Sequence, residues 1–190
     1  MGLFQPDGRY RQHDGQAGLT DGCGWTWLPS RRIAAVSGRL AGIARHGRAR
    51  GPIETLDRVV VTIEAGLAGD FRGAVKPGGR GRRQVSLIEA GDWNAAMAEL
   101  GHDLPWWHRR ANLLVERLDL PQRPGTRLRI GDMVLEITQE CNPCHRMETV
   151  LPGLMAALTP DWRGGALARV IVGGNIAVGD TIEILSRDTR

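Results

Sequence analysis

Short runs of alternating apolar and polar residues, punctuated by glycine and proline, fill most of the chain and predict strands. Met133, Leu135 and Ile137 fall on one face of such a run, with Val134, Glu136 and Thr138 on the other. Val59-Val60-Val61-Thr62-Ile63 is a continuous β-branched run, the pattern of a buried strand. Weaker strands are expected at 33–36 and around Ile43, and further strands at 84–88, 109–115 and 168–172. The segments 128–137 and 176–184 each set Gly-Asp between an apolar stretch and an alternating one, predicting two antiparallel hairpins.

Helical spacing is confined to two places. Trp93, Met97 and Leu100 follow i, i+4, i+7 among alanines, and Gly101 supplies the stop. Met147, Val150, Leu151, Leu154, Met155 and Leu158 make a second helical pattern, broken near Pro152-Gly153. Many short strands with few helices predict a mainly β protein, a mostly antiparallel β-barrel with helices inserted. Residues 1–31 show no period and read as a flexible leader, pinned at most by Trp25 and Trp27, ahead of a barrel domain over 32–190. Glycines at 66–73 mark a loop, and the stretch 75–83, with Lys76, Arg80, Arg82 and Arg83, reads either as a solvated loop or as a mobile flap facing an anion.

With 190 residues and 42% apolar content, the chain is long enough for one sizeable core. No run approaches the roughly eighteen apolar residues of a membrane span, and the first thirty residues lack a secretory pattern, so no membrane role and a cytoplasmic location are expected. Three cysteines cannot all pair within the chain, which suits a reducing compartment. The net charge of +4 is carried almost wholly by arginine, Lys76 being the one lysine. These arginines occur in scattered pairs without a basic helix or an aromatic RNA-binding signature, which argues against nucleic acid and for a small phosphorylated ligand.

Reactive chemistry concentrates in Glu140-Cys141-Asn142-Pro143-Cys144-His145-Arg146-Met147-Glu148, between a predicted strand and a predicted helix. A thiol there meets unpaired backbone N–H groups and the positive end of a helix dipole, which favour the thiolate, and His145 and Arg146 add polar neighbours. Cys144 is the candidate for chemistry. A Cys-x-x-Cys disulfide exchanger lacks its βαβ context here and would attack through the first cysteine. A zinc site would find three ligands at most in Cys141, Cys144 and His145.

The order and spacing of Gly69-Asp70, Arg83-Gln84-Val85-Ser86-Leu87, Arg110-x-Asn112-Leu113-x-Val115, Ile130-Gly131-Asp132, Pro143-Cys144, Arg163-Gly164-Gly165 and Gly174-x-Ile176-x-x-Gly179-Asp180 resemble a MOSC domain, the module named for the C-terminal part of molybdenum cofactor sulfurase. The resemblance spans about residues 33 to 186. It implies an antiparallel barrel and, for characterised reductases of the family, a molybdopterin whose metal is bound by one cysteine thiolate, matched here by Cys144. Many small bacterial members carry Glu-Asn where this chain has Ala111-Asn112, so contacts to the pterin are expected to differ. On this resemblance, Arg110, Asn112, Arg83, Arg163 and His145 are candidates for holding the anionic cofactor. The implied activity is reduction of small N-hydroxylated or N-oxide substrates. No Cys₄ ferredoxin pattern is present, so an external protein must donate electrons. The alternative is a non-catalytic carrier of cofactor or sulfur that uses an exposed Cys144.

Overall fold

In the computed structural model, residues 37–185 are described. The leader of residues 1–31, with Cys23, Trp25 and Trp27, and the weak strand expected at 33–36 lie outside them. The described residues form eleven strands and three helices in the order β1 (Ser37–Arg45), β2 (Glu54–Leu56), β3 (Arg58–Thr62), β4 (Gly66–Leu67), β5 (Val85–Glu89), α1 (Ala90–Leu100), β6 (Leu113–Glu116), β7 (Arg127–Ile130), β8 (Met133–Glu140), α2 (Arg146–Val150), α3 (Leu154–Ala157), β9 (Ala166–Val172), β10 (Gly174–Ala177) and β11 (Thr181–Leu185). The larger sheet runs β11-β7-β8-β9-β5-β6-β1-β2, and pairing of β11 with β1 closes seven of its strands into a barrel. The smaller sheet is β10-β3-β4.

The barrel is mixed and not wholly antiparallel. β5 and β6 run parallel, with Leu87 opposite Leu113 and Ile88 opposite Leu114. The cause is α1, which joins them as a crossover, since parallel neighbours cannot be linked by a tight turn. Alternation in β5 and β6 sends Val85, Leu87, Leu113 and Val115 into the barrel. Ile88 and Leu114 instead face outward, where Trp93, Met97, Met147, Leu154 and Leu158 from the helical segments cover them. The helices therefore carry a second apolar layer over one barrel wall, above the cysteine segment. Gly101 ends α1 at φ 67°, as its position predicted.

Three local expectations are corrected. The run at 59–63 is only partly buried: Val59 and Val61 enter the core, while Val60 and Ile63 stay half exposed because the small sheet covers the barrel with one face. The hairpin at 128–137 forms, β7 pairing β8. The segment 176–184 is instead a corner between sheets, because β10 pairs β3 while β11 pairs β7 and β1. Its turn is anchored outward, Gly179 N–H donating to the Leu40 carbonyl and Leu40 N–H to the Asp180 carbonyl. Finally, the strand expected at 109–115 begins only at Leu113. Residues Trp106–Arg109 wind into a 3₁₀ turn, and Arg110 leaves it with φ 63° in the left-handed region.

Candidate functional site

The cysteine segment hangs between the end of β8 and the start of α2. Cys141 N–H still pairs with the Gly165 carbonyl at the edge of the ladder, and Pro143, lacking an N–H, cannot extend it. The Cys144 carbonyl accepts the Met147 N–H as the helix begins. Because α2 has five residues, its dipole is that of little more than one turn. Cys144 is exposed and Cys141 partly buried, and neither is in a disulfide.

A buried guanidinium fixes this segment. Arg109 Nη2 donates to the carbonyls of Cys141 and Gly164, at 2.6 Å each, and approaches the Cys141 sulfur at 3.2 Å. Its Nε donates to the Gly164 carbonyl as well. This explains the Arg163-Gly164-Gly165 pattern by its glycines. A Cβ on Gly164 would sit 2.6 Å from the Cys141 carbonyl oxygen and 3.1 Å from Arg109 Nη2, and one on Gly165 would overlap the Leu87 carbonyl. Sequence reasoning passed over Arg109, which reads as half of an ordinary arginine pair.

Cys144 opens onto a cleft of about 140 Å³ whose lining includes His46, Asp70, Arg72, Arg83, Arg109, Arg110, Arg146 and both cysteines. Five guanidiniums thus face a single carboxylate there, so the cleft is strongly electropositive. Arg110 is the most telling of them. Its Nη1 makes a 3.3 Å bond to the Gly51 carbonyl, while its Nη2 is buried with no partner. Burial, followed by the nearby Arg146 and Arg72 charges, lowers the Arg110 pKa from its ordinary value, with Asp70 opposing. A left-handed backbone and an orphaned buried donor are two costs in one residue, each of order 1–3 kcal/mol.

The other expected binders divide. Arg83 and Asn112 line the cleft, but the Asn112 amide is engaged by the protein: Oδ1 accepts from Ser86 N–H and Oγ–H, and Nδ2 donates to the Ala44 carbonyl. Asn112 therefore ties β1 to β5 beneath the cleft. Arg163 lies outside the cleft lining, bonded through Nη1 to Glu99 at 2.6 Å and to the Ala157 carbonyl. His145 is exposed ahead of α2 and also outside that lining. No cluster of three or more His, Cys, Asp or Glu side chains able to hold a metal exists among the described residues. Any metal here would need a cofactor to supply most of its ligands.

Larger cavities lie elsewhere among the described residues. One of about 620 Å³ under the small sheet is lined by Asp132, Asn175 and Asp180 but by no thiol or imidazole. Another, about 770 Å³, lies under the basic segment 72–83 and shares Arg72 and Arg83 with the thiol cleft.

The sequence of residues 64–183 matches the family model of the MOSC domain. The chain belongs to the MOSC family. That family is linked to molybdenum cofactor binding. This MOSC domain is similar in fold to the YuaD protein from Bacillus subtilis, with a TM-score of 0.66 and 21% identity over 80% of this chain and 97% of that one. It is also similar to YiiM from Escherichia coli, with a TM-score of 0.58 and 18% identity over 80% of this chain and 72% of that one. YiiM from Geobacillus stearothermophilus gives a TM-score of 0.60 and 15% identity, covering 80% of this chain and 77% of that one. At such identities the likeness is one of fold. No curated protein matches the chain. No helix among the described residues is long and apolar enough to cross a membrane.

Proposed function

We propose that this MOSC domain binds the molybdenum cofactor, with Cys144 as the protein ligand to the metal, and reduces N-hydroxylated or N-oxide compounds with electrons from an external donor protein. The observation that carries this reading is the partnerless, buried Arg110 Nη2 in an arginine-rich cleft beside an exposed thiol. An orphaned guanidinium donor fits a phosphate oxygen, and a thiolate fits a soft metal already held by sulfur. Arg110 would hold the anionic end, assisted by Arg72, Arg83 and Arg146. The adjoining cavity, shared through Arg72 and Arg83, offers room that the small cleft lacks.

When bound, the cofactor supplies two-electron redox chemistry. The rest falls to the chain. Arg109 holds the Cys141–Cys144 segment in place, Asn112 keeps the cleft floor rigid, and the guanidiniums orient an anionic group. For a hydroxylamine-type substrate the balance is R–NHOH + 2 e⁻ + 2 H⁺ → R–NH₂ + H₂O. The N–O bond breaks, oxygen leaves as water, and two protons must enter.

The exposure of Cys144 also suits a carrier of cofactor or sulfur. The two readings separate when the protein is purified from a host that makes the cofactor. The reductase reading expects molybdenum and pterin in near-equal amounts, together with turnover of an N-hydroxylated amidine by chemically reduced protein. Cofactor bound without turnover would favour the carrier, and absence of both metal and pterin would overturn cofactor binding.

A further inference from the structure

His46 follows β1 directly, and its ring lines the thiol cleft while remaining only 6% exposed. Asp70, from the loop after β4, is more deeply placed, with its side chain 1% exposed. The two are bound twice: Asp70 Oδ1 lies 3.2 Å from His46 Nδ1 and accepts the His46 backbone N–H at 3.1 Å. The second carboxylate oxygen accepts the Arg72 N–H, and the Phe71 N–H donates to the His46 carbonyl. Loop and strand end are therefore locked together around one carboxylate–imidazole contact.

That contact sets the tautomer. An ionised carboxylate only accepts, so Nδ1 must carry a proton, and Nε2 of the neutral ring is left with its lone pair. Nε2 has no protein partner among the described residues and is not sealed from the cleft. Most other groups lining this cleft cannot exchange protons near neutrality. Guanidiniums stay charged and amides do not titrate, which leaves Asp70, the two thiols and His46. Asp70 is already engaged by His46 and Arg72. On the proposed function the thiol of Cys144 is committed to the metal, and the sulfur of Cys141 accepts from Arg109.

We propose that His46 is the residue that delivers protons in this cleft, with Asp70 as the positioning residue that fixes its tautomer. The inference rests on the reductase reading and adds the source of the two protons that its balance requires. His46 first takes a proton from solvent at Nε2, gives it to the substrate nitrogen or the leaving oxygen and returns to the neutral ring, and a second such cycle supplies the second proton. The charged groups facing the ring are Asp70, Arg72 and Arg110. Burial lowers the His46 pKa from its ordinary value, as do Arg110 and Arg72, while Asp70 raises it. A ring that lines the cleft can be recharged between transfers by water that enters there.

The test uses the full chain in two forms. In the metal-free protein, nitrogen-resolved imidazole NMR should show neutral His46 with its proton on Nδ1, and Asp70→Asn should lose that tautomer and lower the titration midpoint. A wild-type proton on Nε2 would overturn the proposal. In cofactor-loaded protein reduced chemically, with N-hydroxybenzamidine as probe, His46→Gln should lower kcat about a hundredfold or more with KM little changed, and should abolish the high-pH limb, the fall in rate as pH rises and His46 loses its proton. Asp70→Asn should shift that limb toward lower pH. Retained rate and pH profile in His46→Gln would overturn the proton role while leaving the reductase reading intact. Absence of turnover in the loaded wild type would instead overturn both.

Discussion

Arg109 Nη2 stands 2.6 Å from the Cys141 carbonyl oxygen and 3.2 Å from the Cys141 sulfur, so one buried guanidinium holds the backbone and side chain of the first cysteine together. The same nitrogen reaches the Gly164 carbonyl in the turn before β9. The link ties the end of β8 to the residues before β9, and the thiol cleft is built on that link.

Arg109→Ala should therefore destabilise the domain by about 2–4 kcal/mol, because it leaves buried carbonyls without a donor. Arg109→Lys should recover only part, since an ammonium cannot reproduce the planar fork. Urea unfolding of the three proteins checks both. A loss below about 1 kcal/mol in Arg109→Ala would mean that water replaces the guanidinium.

Arg110 should behave in the opposite way. Its backbone sits at φ 63° and its Nη2 is unpaired, so Arg110→Gly removes a left-handed side chain and an orphaned donor together. Stability should rise by about 1 kcal/mol. Binding of molybdate or phosphate to the metal-free protein should weaken about ten- to a hundredfold, the worth of a charge-assisted bond. Calorimetric titration and thermal unfolding of the same variant read both effects. Unchanged anion affinity would remove Arg110 from the site.

The contrast between these neighbours shows what the sequence could disclose. Alternation in β8 and the periodicity of α1 were legible because burial of apolar faces dictates them. Thiol and arginine candidates were legible as residue types at motif positions. The roles of Arg109 and Arg163 were not, because each is decided by a partner 55 or 64 residues away, Gly164 for one and Glu99 for the other. The αL backbone of Arg110 was hidden for a related reason: arginine carries no local signal for positive φ, and the 3₁₀ turn before it forms where Trp106 packs over Gly42. His46 and Asp70 are separated by 24 residues and meet only through the fold.

Cys144→Ser should abolish molybdenum retention, whereas Cys141→Ser should keep most of it. Cys141 is partly buried under Arg109, and Cys144 is exposed on the cleft. Metal analysis of the two variants from a cofactor-making host checks the difference. Equal loss would show the two sulfurs acting as a unit and would return attention to disulfide chemistry.

Glu89 makes the stability of the domain depend on pH. Burial raises its pKa to about 7, with Asp92 and Asp119 adding repulsion, even though its Oε1 accepts the Leu120 N–H at 2.5 Å. In the unfolded chain the carboxyl returns to about 4.5. The native state therefore binds the proton more tightly, and stability is fully present below about pH 4.5 and falls as pH rises toward 7 and past it. After allowance for solvent screening, the loss is on the order of 1–2 kcal/mol. Glu89→Gln keeps an oxygen for the Leu120 N–H but cannot ionise. It should flatten the decline between about pH 4 and 8, a range that brackets the unfolded and folded midpoints, and leave the variant more stable than wild type at the upper end. Unfolding curves across that range measure it, and parallel profiles for the two proteins would show that Glu89 is as well solvated when folded as when unfolded.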